Sequence, residues 1–110
     1  MLIPNHRQAQ VDVEKVTGYL LSQTHSIGKS KAAWFGILGY NQSDWKLLQS
    51  DLAKLASKDA VLLSETQYGQ KYGISSTLIG PNGKSGKVMT VWIIISGQKV
   101  PRLVTAYPDE

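Results

Sequence analysis

The 110-residue chain has no cysteine and two histidines, His6 and His25. Disulfides and thiolate chemistry are therefore excluded, and a structural zinc site, which needs four nitrogen or sulfur ligands, lacks its donors. No apolar run approaches the ~20 residues of a membrane-crossing helix. The opening MLIPNHRQ carries no apolar signal region. These absences predict a cytoplasmic chain with no cofactor, no metal and no membrane contact, either standing alone or as an effector domain cut from a larger exported protein. Acidic residues are also in the minority, 8 against 12 lysines and arginines, for a net charge of +4. That balance is compatible with a polyanionic partner.

What the chain does have is a strongly apolar segment near its end. Val88 to Ile95 is rich in β-branched residues and is bounded by Gly86 and Gly97, which reads as a strand buried on both faces. One face is wholly apolar (Met89, Val91, Ile93, Ile95), and Ile93→Ala is expected to be a costly core truncation. The other face holds Val88, Thr90, Trp92 and Ile94, so one hydroxyl and one indole N–H need partners. Ser96 to Val100 fits a hairpin loop, and Pro101 fits the first position of a returning strand, Arg102 to Tyr107.

Upstream, the spacing changes from helical to strand-like. Met1 to Gln10 reads as a loose segment with at most a short edge strand. Asp12 is placed to cap a helix from about Val13 to Leu21. A second helix, from about Ser30 to Leu38, would bury Trp34, Phe35 and Leu38, with Gly39 as its left-handed terminator. Asn41 or Ser43 caps a third, running to about Ser57 with Trp45, Leu48, Leu52 and Leu55 on its apolar side. From Ala60 the period becomes two, giving strands at Val61 to Glu65 and around Tyr72 to Leu78, then a Gly80-Pro-Asn-Gly83 turn. The expected fold is α+β, a single domain over residues 1–110. In it about three N-terminal helices pack on one face of a roughly four-stranded antiparallel sheet.

Motifs for the common catalytic classes are missing. Gly28-Lys29-Ser30 and Gly83-Lys84-Ser85 lack the glycine five positions earlier that a phosphate-binding loop requires; Gln23 and Leu78 stand there. Carboxylates are scattered rather than paired, and there is no Gly-x-Ser-x-Gly elbow. The segment around His25, Lys29 and Lys31 is more informative. It precedes a helix, whose free amides and positive dipole end favour an anion, and it offers an imidazole able to exchange a proton near neutral pH. On the sheet, Lys71, Arg102, Thr105 and Tyr107 are candidate polar heads. In a regular strand Arg102 falls on the opposite face from Thr105 and Tyr107, and only a bulge would unite them.

Several stretches together resemble a family of small bacterial domains of unknown function that is associated with toxins. They are Leu21, His25, Gly28, Lys31-Ala32, Phe35, Leu38-Gly39, Trp45, Tyr68-Gly-x-Lys-Tyr72, Gly80-Pro-Asn-Gly83, Thr90-Val-Trp-Ile93 and Pro101-Arg-Leu-Val-Thr-Ala-Tyr-Pro108. The layout is similar to that of the barnase–EndoU–colicin–RelE ribonuclease superfamily. That resemblance implies metal-independent RNA cleavage, with tRNA or mRNA as substrate and a neutralising antitoxin or immunity protein as partner. On the matching positions His25 would act as base or acid. Lys31 and Arg102 would hold the phosphate, with Lys71 as a lesser substrate contact, and Thr105 and Tyr107 would donate to oxygens or position the ribose; Lys29 joins the substrate-binding set from its place beside His25 before the helix. The competing expectation is a module of a toxin–antitoxin or effector system that binds protein or RNA without cleaving it.

Overall fold

A computed structural model describes residues 1–109. The N-terminal segment forms no strand. It makes a 3-10 turn at His6–Gln8, buries Ile3, and joins the sheet only through Gln10, whose backbone bonds to Pro101 and Leu103 at 2.9 Å each. Helix α1 is a single α-helical turn, Val13–Lys15, that continues as a π-helical segment, Val16–Leu20. Asp12 occupies the N-cap position but makes no capping bond, because its carboxylate faces Arg102 at 3.7 Å. Helix α2 runs Gly28–Ile37 and ends at Gly39, whose φ of +99° supplies the left-handed terminator. Asn41 and Asp44 form a reciprocal capping box over the 3-10 turn Gln42–Asp44. Helix α3, Trp45–Leu55, follows and buries Leu48, Leu52 and Leu55.

The sheet is an antiparallel meander in the order β1-β2-β3-β4, formed by Val61–Thr66, Gly69–Ile79, Ser85–Ile95 and Arg102–Pro108. Its inner face carries Tyr72, Ile74, Leu78, Val88, Thr90, Trp92, Leu103 and Ala106. All but the buried polar Thr90 pack with Leu20, Phe35, Leu48 and Leu52 from the helical half in one core. The α+β architecture is as the sequence predicts. Burial of β3 on both faces is not. Val88, Thr90 and Trp92 are fully enclosed, but on the opposite face, which carries no helix, only Val91 is buried: Met89 and Ile93 are half-buried and Ile95 is exposed. On the same outer face β1 adds Val61 (63% exposed) and Leu63 (52%), with Leu63 lying over Gly73. An unbroken apolar run satisfies a strand covered on one side as well as one covered on two. Ile93→Ala therefore loses only part of a full burial term, and the large core effect moves to Trp92.

The two polar groups on the inner face are satisfied in series. Trp92 Nε1–H donates to Thr90 Oγ1 at 2.9 Å, and the Thr90 hydroxyl donates to the Ile74 carbonyl at 3.3 Å. Both residues are buried, so the relay removes two desolvated donors that would otherwise each cost about 1–3 kcal/mol.

Tyr40 fastens the end of α2 to α3 by donating to Asp51 Oδ2 at 2.5 Å. Burial, first, and then the bonded Asp51 carboxylate hold its phenol well above the ordinary tyrosine range. Because the folded-state value is raised, the neutral phenol's contribution is complete below the unfolded tyrosine value of about 10. It is lost as pH rises from there through the folded value. Thermal melts at stepped alkaline pH should show stability falling past about pH 10. Tyr40→Phe should be less stable at neutrality and show a shallower alkaline decline; an equally steep decline would contradict the linkage.

Candidate functional site

The site begins with a bulge. The register of β3 against β4 shifts between Val91 and Trp92, so that Ile93 faces Arg102, Val91 faces Thr105 and Met89 faces Tyr107. Val104 is the extra residue. Residues paired across an antiparallel ladder share a face, and Met89, Val91 and Ile93 all project outward. The bulge therefore turns Arg102, Thr105 and Tyr107 to one face of the strand, which a regular strand forbids.

The helical half meets this edge through the π-helical segment. Its wider i to i+5 bonding is visible in Leu21 N–H donating to the Val16 carbonyl at 2.8 Å. Short π segments recur at functional sites. Here it presents Tyr19, and α2 begins directly against it: a Cβ on Gly28 would lie 2.0 Å from the Tyr19 carbonyl oxygen. Only glycine permits that approach. Gly28→Ala should lower stability by about 1–3 kcal/mol, roughly 5–20 °C in Tm, through overpacking. A circular-dichroism melt unchanged within about 2 °C would contradict so tight a contact.

His25 holds the start of α2. Its Nδ1 accepts from the backbone N–H of Ile27 at 3.1 Å and of Gly28 at 3.0 Å. Its own backbone N–H donates to the buried Ser22 hydroxyl at 3.1 Å. This imidazole explains why α2 starts two residues before the Ser30 expected from the sequence. It also assigns the tautomer, since Nδ1 must offer its lone pair and Nε2 therefore carries the hydrogen. In this arrangement His25 is a hydrogen-bond donor at Nε2.

Tyr19 is where the groups gather. Its hydroxyl lies 3.3 Å from Thr105 Oγ1, and its ring meets the His25 ring edge-on at 5.1 Å. The Lys15 ammonium lies 5.3 Å from the ring centroid and that of Lys31 lies 5.6 Å from it. Lys31 also sits 5.2 Å from the centroid of the Tyr107 ring, bridging helix α2 and strand β4. Beside them opens a cleft of about 500 Å³ lined by Asp12, Glu14, Lys15, Tyr19 and His25. One imidazole N–H, two ammonium groups and three hydroxyls thus share a seam between the helices and the β4 edge. That set can neutralise and hydrogen-bond a phosphate.

The other expected residues stand apart. Arg102 shares the β4 face, but its guanidinium is paired with Asp12. Lys71 is on the outer face in one row with Ile93 and Arg102, two strand spacings or roughly 10 Å from Arg102. Lys29 points into a separate groove of about 360 Å³, with Leu21, Gln23, Ala32, Ala33, Gly36 and Tyr40. Two contributors escape a reading of the sequence, Tyr19 and Lys15. Their i,i+4 spacing on one helix flank, a few residues before His25, is the only local signal, and it looks like an ordinary exposed helix face.

A family model for a domain of unknown function, DUF6883, matches residues 2–110, and the chain belongs to that family. No curated protein matches it. Among solved structures, the fold is similar to a chain of the contact-dependent growth inhibition toxin–immunity protein complex from Klebsiella pneumoniae 342. The TM-score is 0.71 and the identity 21%, over 90% of this chain and 98% of that one. No helix among the described residues is long and apolar enough to cross a membrane.

Proposed function

We propose that the domain is a toxin-type endoribonuclease that cleaves RNA without a metal, by attack of a ribose 2′-OH on the adjacent phosphate. The observation that carries this reading is the convergence of His25, Lys31, Thr105 and Tyr107 around Tyr19 at one seam. In such a reaction the phosphorane gains negative charge, and preorganised cations and N–H donors supply the largest share of catalysis. Lys31 and the His25 Nε2–H take that role, with Lys15 beside them. Thr105 and Tyr107 donate to phosphate or ribose oxygens. Lys29 and Lys71, outside the seam, and Arg102, engaged by the cleft residue Asp12, are left with flanking phosphates, which position the strand without reading its sequence. The likeness of fold to a chain of a toxin–immunity complex supports a toxin-associated role with a neutralising protein partner.

The test is incubation of purified protein with tRNA or mRNA in excess chelator. Cleavage is expected there, and growth arrest is expected on expression in bacteria. Intact RNA across all substrates would overturn the reading. A second reading, a non-catalytic interaction module of a toxin or effector system, draws on the bare outer face, where Val61, Leu63 and Ile95 are exposed. It predicts that wild type and Lys31→Ala are equally harmless when expressed.

A further inference from the structure

Resting on the ribonuclease reading, we infer that Tyr19 is the general acid that protonates the departing 5′-oxygen. Transesterification needs a proton for that oxygen, and the groups at the seam differ in whether they can give one. The neutral His25 imidazole accepts two helix amides at Nδ1 and keeps its hydrogen at Nε2. Losing that hydrogen would leave an imidazolate, so His25 donates a hydrogen bond but not a proton. Lys31 is held as an ammonium between two aromatic faces, and giving up its proton would remove the charge the phosphorane requires. Tyr19 has neither restriction. Its hydroxyl lies on the strand side of the seam, 3.3 Å from Thr105 Oγ1, and its single O–H is free to turn to a leaving oxygen. The phenolate left behind spreads its charge into a ring faced by two ammonium groups, Lys15 at 5.3 Å and Lys31 at 5.6 Å.

The 2′-oxygen forms a bond to phosphorus and its proton passes to water. As the bond from phosphorus to the 5′-oxygen breaks, that oxygen keeps the electron pair and takes the Tyr19 proton. The products are a 2′,3′-cyclic phosphate and a 5′-hydroxyl. The hydronium formed at the start reprotonates the phenolate.

A leaving group that needs no proton separates this role from positioning. An oligonucleotide with one 5′-bridging sulfur in place of the scissile 5′-oxygen expels a thiolate, which departs without an acid. Tyr19→Phe keeps the ring and loses only the hydroxyl. Cleavage of the oxygen substrate should fall about 10²–10⁴-fold, the range for general acid–base groups, and cleavage of the sulfur substrate should stay within about threefold of wild type. A thermal melt of the variant close to wild type accompanies the measurement. Equal loss on both substrates would assign Tyr19 a positioning role and overturn the proposal, as would no loss on either. Wild-type protein inert on both substrates would overturn the ribonuclease reading itself, and the acid role with it.

Discussion

Lys31→Ala is expected to lower the rate of RNA cleavage by about 10²–10³-fold, the range for removing one preorganised donor to a developing oxyanion. Its ammonium touches both the helical and the strand components of the seam, through the rings of Tyr19 and Tyr107. The loss should fall on kcat more than on KM, because the charge it faces grows in the transition state. Fold stability should fall by no more than about 1–2 kcal/mol, since the two ring contacts near the surface contribute about 0.5–1 kcal/mol each. Initial rates with a parallel melt test both halves. A rate within about threefold of wild type would place the scissile phosphate elsewhere.

Trp92→Ala is the second large effect. Trp92 has no exposed surface, sits on the inner face of β3, and donates to Thr90. Truncating a buried aromatic costs about 3–5 kcal/mol, a large part of a domain's total stability of about 5–15 kcal/mol. Trp92→Phe keeps most of the volume and removes the N–H donor, so it should cost about 1 kcal/mol more than its packing change alone. Ile93→Ala, its neighbour on the half-covered face, should cost clearly less than Trp92→Ala. Equal losses at 92 and 93 in denaturant melts would mean that the outer face is covered in solution.

Most of the fold was legible because its signals are local. The Leu48, Leu52 and Leu55 spacing, Gly39 at a helix end, the cap at Asn41 or Ser43 and the Gly80-Pro-Asn-Gly83 turn each act within a few residues. Which face of β3 the helices cover was not legible, since both alternating sets are almost wholly apolar and only Thr90 and Trp92 distinguish them. Nor was the bulge at Val104, which has no glycine to mark it and depends on pairing with β3. The seam was only partly readable for the same reason. His25 and Lys31 announce themselves beside a helix start, and Thr105 and Tyr107 on an alternating strand. Tyr19 joins them through a π-helical segment packed closely on Gly28, a tertiary contact that local spacing does not reveal.

Transesterification of RNA at this seam would leave a chemical signature at both ends of the cut. Mapping both termini of the cleaved strand should find a 2′,3′-cyclic phosphate on the upstream fragment and a free 5′-hydroxyl on the downstream one. A 5′-phosphate with a 3′-hydroxyl, or no fragments at all, would contradict the claim.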